Sequence, residues 1–181
     1  MNFAVYCGSS KGHLPIYTKS AKELAKVMVD NNINMVYGGG NIGLMGVMAD
    51  EVMNLGGKVY GVIPKILAEK EVAHYGITEL FIVNNMHERK AKMFELSNAI
   101  IALPGGIGTM EELFEALTWN QIGIHHKPCG ILDTNNYYKY FEIFLEHMVN
   151  EGFLRTTHKN LLKFSTNASE LVEMLIKKIS K

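Results

Sequence analysis

The chain has 181 residues, 48% hydrophobic and 20% charged, the balance of a single globular domain that can bury a core without disulfides or a structural metal. Its 18 basic and 18 acidic residues cancel, which excludes a general attraction to nucleic acid polymers or anionic membranes and leaves any anion to a local site. Two cysteines, an apolar start too short for a signal peptide and no run of about 18 apolar residues point to the cytosol.

Along the chain, short apolar runs alternate with helical periodicity. Phe3 to Cys7 reads as a buried strand followed by Gly8-Ser9-Ser10. Tyr17 to Val29 is helical, with Ala21, Leu24, Ala25 and Met28 at i, i+3, i+4 and i+7. Asn34 to Tyr37 is a second strand ending in Gly38-Gly39-Gly40, and Leu44 to Leu55 a second helix stopped by Gly56-Gly57. Lys58 to Ile63 is a third strand, and residues 64 to 78 read as an irregular loop or lid. Leu80 to Val83 is a strand, Met86 to Leu96 a helix, Ala99 to Leu103 a strand and Met110 to Gln121 a helix. Cys129 to Leu132 is a sixth strand, Tyr137 to Asn150 and Ser169 to Ile179 are helices, and Leu161 to Phe164 is a short strand.

Strand, glycine turn and helix, repeated, predict an α/β, Rossmann-like single domain over residues 1–181: a mostly parallel sheet with helices on both faces. Ligands in such sheets bind where strand C-termini meet helix N-termini, so three loops are candidates: Gly8 to Ser10, Gly38 to Gly46 and Pro104 to Thr109. Gly38, Gly40 and Gly43 fit G-x-G-x-x-G, but the next strand carries no acid to hold a ribose, which argues against NAD. Those glycines serve either ligand contact or tight backbone packing.

Pro104-Gly105-Gly106-Ile107-Gly108-Thr109 is the sharper signal. Its glycines expose backbone N–H groups at a helix start and Thr109 adds a hydroxyl, which suits a phosphate monoester; the alternative is a plain turn with Thr109 as N-cap. No Gly-Lys-Ser/Thr follows, so it is not a triphosphate loop. Glu111 and Glu112 then read as first-turn residues, favourable to the helix dipole yet adjacent to an anion site. Arg89-Lys90, read in the first turn of its own helix, opposes the dipole, and Arg89 is expected to face Glu112 across one pocket. No Cys/His grouping has zinc-ligand spacing, and His125-His126 is merely adjacent.

Together these residues resemble the LOG ("lonely guy") family of cytokinin riboside 5′-monophosphate phosphoribohydrolases, often mislabelled as lysine decarboxylases. The family's P-G-G-x-G-T-x-x-E is met by Pro104 through Glu112, and its Met-x-x-Arg-Lys by Met86 to Lys90. Its Cys-Gly-Ser-Ser is met by Cys7 to Ser10, its Tyr-Gly-Gly-Gly by Tyr37 to Gly40, and its Gly-Leu-Met-Gly by Gly43 to Gly46. Thr118 to His125 is similar to its Thr-Trp-x-Gln-Leu-Gly-Ile-His. The resemblance implies that Arg89 and Glu112 are the catalytic pair, that Gly106, Ile107, Gly108 and Thr109 bind phosphate, and that Lys90, Glu111 and Thr118 line the nucleotide site. Gly8, Ser9, Gly39, Gly40, Met86 and Gly105 complete the candidate binding set. Glu71 matches a family ligand residue, although Lys70-Glu71-Val72-Ala73-His74 departs from the family's Arg-Glu-x-Thr-Gly. The resemblance also implies a homodimer, with Trp119 near the shared surface.

The expected reaction is hydrolysis of the N-glycosidic bond of a nucleoside 5′-monophosphate, AMP or an N6-substituted relative, to free base and ribose 5-phosphate, with no metal or organic cofactor. Two other readings stay open: a pyridoxal-phosphate lysine decarboxylase with Lys90 as its Schiff-base lysine, and a non-catalytic nucleotide-binding module.

Overall fold

The computed structural model describes residues 1–69 and 73–180. In chain order it contains β1 (Asn2–Tyr6), α1 (Pro15–Asp30), β2 (Asn34–Tyr37), α2 (Gly43–Asn54), β3 (Val59–Pro64) and the single turn α3 (Lys65–Ala68). There follow β4 (Glu79–Val83), α4 (Met86–Leu96), β5 (Ala99–Ala102), α5 (Ile107–Gln121) and β6 (Cys129–Leu132). The chain continues with α6 (Lys139–Asn150), α7 (Thr156–Lys159), β7 (Leu162–Ser165) and α8 (Ala168–Ile179).

Among the described residues the strands form one sheet in the order β4-β3-β2-β1-β5-β6-β7, with every pairing parallel. Interior strands buried on both faces read as near-continuous apolar runs, as β5 (Ala-Ile-Ile-Ala) and β6 (Cys-Gly-Ile-Leu) do. The edge strand β4 leaves Glu79 and Ile82 exposed. Alternation along β1 splits the core. Phe3, Val5 and Cys7 pack with α1, α2 and α8, whereas Ala4 and Tyr6 pack with α4, α5 and α6. The stripe expected on α1 (Ala21, Leu24, Ala25, Met28) is its buried set.

Several boundaries differ from the sequence reading for local reasons. Helix α1 starts at Pro15, whose fixed φ suits a first helical turn. Helix α6 starts at Lys139 instead of Tyr137, because Asn135 and Asn136 adopt left-handed φ of 58° and 55° just before it. The segment 64 to 78 is not wholly irregular: it contains α3, and Ala73 bridges Gly40 in antiparallel fashion. Helix α5 begins at Ile107, three residues before the expected Met110, with Gly106 as N-cap. Glu111 and Glu112 therefore lie in its second turn, not its first, and Thr109 is inside the helix and not its cap. No helix among the described residues is long and apolar enough to cross a membrane.

Candidate functional site

The strand order reverses between β1 and β5, whose connections leave in opposite directions and open a crevice at their C-terminal ends. Three loops are tied together there. The Gly8 N–H donates to the Pro104 carbonyl at 3.1 Å, and the Leu44 N–H donates to the Gly8 carbonyl at 3.0 Å. Gly43, at φ +63°, comes so near the first loop that a Cβ would lie 2.2 Å from the Ser9 carbonyl carbon. The Tyr137 hydroxyl donates to the Gly105 carbonyl at 2.6 Å and fixes the third loop from the side.

A cavity of about 270 Å³ lies at this junction. Its lining includes Gly8, Ser9, Gly38, Arg89, Gly106, Ile107, Gly108, Thr109 and Glu112. Arg89 Nη2 stands 3.5 Å from Glu112 Oε1, and the two side chains keep only 13% and 12% of their exposure. β4 and β5 are not neighbours in the sheet. Helix α4 brings Arg89 in by packing back across β3, β2 and β1.

Gly38 makes room for that arginine. A Cβ there would lie 2.0 Å from Arg89 Nη2, the far end of a flexible side chain. Gly38→Ala is therefore expected to leave the fold intact, because Gly38 has no left-handed φ, yet to displace the guanidinium and lower turnover by at least tenfold. Thermal melting together with kcat checks this. Normal turnover in a folded Gly38→Ala protein would show that the placement of Arg89 is unimportant.

Glu112 pays for its position electrostatically. Burial pushes its carboxyl above the ordinary carboxylate range, and the Arg89 charge partly pulls it back. Arg89 Nη1 also donates to Met86 Sδ at 3.7 Å, while Arg89 Nε is sealed without a partner among the described residues. The guanidinium thus has donors that no acceptor among the described residues uses well. Glu88, not Arg89, meets the helix dipole of α4: the Asn85 side chain caps the helix by accepting from the Glu88 N–H at 2.9 Å. Helix α5 has no side-chain cap, so the orphan N–H groups of its first turn face the cavity side of Gly106 to Thr109.

Other expected residues lie elsewhere. Lys90 does not line the cavity: its ammonium bridges Glu111 at 2.6 Å and Glu115 at 2.9 Å, and the Glu111 hydrogen bond raises its pKa. Glu111 is spent on that bridge. Gly105 packs behind the loop, where a Cβ would lie 2.1 Å from Thr109 Oγ1, and it lines a neighbouring cleft with Tyr17 and Tyr137. Gly39 and Gly40 are buried, the first against Ile63 and Leu80, the second bridging Ala73, so close packing accounts for both. Met86 touches Arg89 without entering the lining. Thr118 is on the outer part of α5, where its hydroxyl returns to the Phe114 carbonyl and it borders an apolar groove with Leu145 and Leu154. Glu71 lies outside the described residues.

Val5, Tyr6, Cys7, Met45 and Leu67 complete the lining, and the sequence reading did not single them out as site residues. Tyr6 and Cys7 were detectable as the last residues before the first candidate loop, but their place in an apolar run marked them as core. Burial pushes both groups far above their ordinary ranges, with Glu112 adding to each, so both stay protonated.

The family described as "Possible lysine decarboxylase" matches residues 45–175. The cytokinin riboside 5′-monophosphate phosphoribohydrolase LOG5 of Arabidopsis thaliana is 44% identical over 171 residues, which span 94% of this chain and 75% of that protein. The LOG enzyme of the same description from Oryza sativa subsp. japonica is 46% identical over 168 residues, 93% of this chain and 69% of the relative. The molybdenum cofactor carrier protein of Chlamydomonas reinhardtii superposes with a TM-score of 0.74 at 17% identity, covering 99% of this chain and 98% of that one. That likeness carries the fold alone.

Proposed function

The chain belongs to the family of cytokinin riboside 5′-monophosphate phosphoribohydrolases, and we propose that its own cavity hydrolyses the N-glycosidic bond of AMP or an N6-substituted AMP. The observation that carries the site assignment is the buried Arg89–Glu112 pair at 3.5 Å, one helical turn from the open N–H groups of α5.

In this reading the 5′-phosphate sits against Gly106 to Thr109, where backbone N–H groups and the helix dipole favour an anion. The sugar then lies along the first turn of α5, toward Glu112. As the C1′–N bond breaks, positive charge builds on the ribose, and the Glu112 carboxylate stabilises it while orienting a water for attack on C1′. The base leaves with the bonding electrons. The Arg89 donors stabilise it, and its proton comes from water, since a guanidinium does not give one up. The water's oxygen ends on C1′ and a proton on the base nitrogen.

Lys90 supports this reading over a Schiff-base decarboxylase: an ammonium held by two carboxylates is a poor amine nucleophile. The test is a panel of nucleoside monophosphates with chromatographic detection of free base and no added metal or cofactor. Adenine or N6-substituted adenine is the expected product. Activity lost on chelation and restored by zinc or magnesium would overturn the metal-free mechanism.

A homodimer is part of the proposal. On α5, Leu113 is wholly buried in the core, and Trp119 packs edge-on against its own chain's Phe94 at 5.4 Å. Phe114 and Ile122 remain exposed, as do Ile124 and, on α6, Ile143 and Phe144, and this apolar surface is open to a second copy of the chain. Sedimentation at micromolar concentration is expected to give twice the 20.3 kDa chain mass; a monomer would refute the dimer. The free, buried Cys7 and Cys129 suit a reducing compartment such as the cytosol.

A further inference from the structure

Three tyrosines are buried in the core, and they are not treated alike. The Tyr37 hydroxyl meets His74 Nδ1 at 3.1 Å, and the Tyr138 hydroxyl donates to the Leu103 carbonyl at 2.7 Å. Tyr6 is buried too, with 6% of its surface exposed, yet its hydroxyl has no hydrogen-bond partner among the described residues. Burying a phenol without a partner is costly, so such hydroxyls are normally satisfied. Nor is the Tyr6 oxygen sealed: Arg89 Nε is the one fully enclosed side-chain polar atom left unpaired among the described residues. The opening available to Tyr6 is the cavity it lines beside Arg89 and Glu112.

Position decides what this hydroxyl can reach. Tyr6 is the last residue of β1, paired with Ala102 of β5, and its side chain lies on the sheet face covered by α4 and α5. It therefore approaches the cavity from the sheet side, on the same face as Glu112. Thr109 and Glu112 are three residues apart on α5, about 4.5 Å along the axis. A phosphate at the helix start and C1′ at Glu112 thus place the ribose between helix and sheet, and the group next to C1′ is the 2′-hydroxyl.

Resting on the function proposed above, we propose that Tyr6 is a specificity-determining residue whose neutral hydroxyl hydrogen-bonds the ribose 2′-hydroxyl, so that the site distinguishes ribonucleotides from 2′-deoxyribonucleotides. The phenol keeps its proton throughout and is a fixed donor, not an acid in the reaction. The sugar contact complements Glu112, which when ionised can only accept hydrogen bonds and donates none.

Tyr6→Phe tests this, because it removes one oxygen and keeps the ring that packs beside Met93 and Ala102. Two readouts are needed for wild type and variant: kcat/KM for AMP and 2′-deoxy-AMP, and calorimetric binding of ribose 5-phosphate and 2-deoxyribose 5-phosphate. Wild type is expected to favour the ribo form in both. Tyr6→Phe should lose about tenfold on the ribo form and little on the deoxy form, collapsing the ratio. An unchanged ribo-to-deoxy ratio in Tyr6→Phe, in binding and in turnover, overturns the inference. If binding discrimination collapses in the variant while wild type releases no base from any monophosphate, Tyr6 still reads the sugar and the hydrolase reading alone falls.

Discussion

Glu112→Gln and Arg89→Ala are each expected to lower the release of free base by about a hundred- to a thousandfold while the protein stays folded, the usual cost of removing a preorganised charge that acts on the transition state. The bland explanation for Glu112, an acid favouring its helix dipole, is weak because the residue lies in the second turn of α5, where that effect has faded. It is also mostly buried, and a carboxylate serving only the dipole gains nothing from desolvation. Near wild-type turnover in Glu112→Gln would sink the mechanism.

The pH profile gives an independent reading of the same pair. Glu112 must be ionised to stabilise the cationic sugar. Burial raises its pKa, so the acid limb of kcat/KM should lie above the ordinary glutamate value of about 4.3. Arg89 holds that pKa down. Taking its charge away must raise it, and the residual activity of Arg89→Ala should fall off at higher pH than wild type does. A limb that stays in place or moves down would mean that another group titrates there.

Much of this architecture was legible in the sequence. The apolar runs and the 3.6-residue stripe of α1 specify buried strands and amphipathic helices, and the glycine turns mark strand ends. What periodicity cannot supply is strand order. β4 and β5 follow each other in the chain but stand at opposite sides of β3, β2 and β1, so only the path of α4 over the sheet explains why Arg89 meets Glu112. The role of Gly38 was hidden for the same reason: the glycine answers to an arginine 51 positions later. Sequence pattern starts α5 three residues late because glycine is a poor helix former in isolation, whereas Gly108 enters the first turn with open space around it. Lys90 and Glu111, adjacent in sequence to Arg89 and Glu112, point to a different surface, since neighbouring residues on a helix do not share a face.

Adenosine is expected to be at least a hundredfold poorer substrate than AMP. The first turn of α5 offers uncapped N–H groups beside Thr109, and a hydrogen bond to a charged group contributes about 1.5–3 kcal/mol. Losing two such bonds exceeds a hundredfold at about 1.4 kcal/mol per tenfold. That binding is remote from the broken bond, so it serves to hold the sugar at Glu112 and its loss should lower kcat as well as raise KM. Thr109→Val isolates the hydroxyl. Thr109 is 4% exposed and its Oγ1 reaches over Gly105, so an isosteric methyl preserves the packing while removing one donor, and the AMP-to-adenosine ratio should narrow. Gly105→Ala is the harsher companion: its Cβ would meet Thr109 Oγ1 at 2.1 Å and the backbone nitrogen of Gly8 at 2.8 Å, so backbone must move and both substrates should suffer. Specificity constants for AMP and adenosine across the three proteins check the whole set. Equal constants in wild type would mean that the loop does not hold a phosphate, and the site proposed for the nucleotide would have to be abandoned.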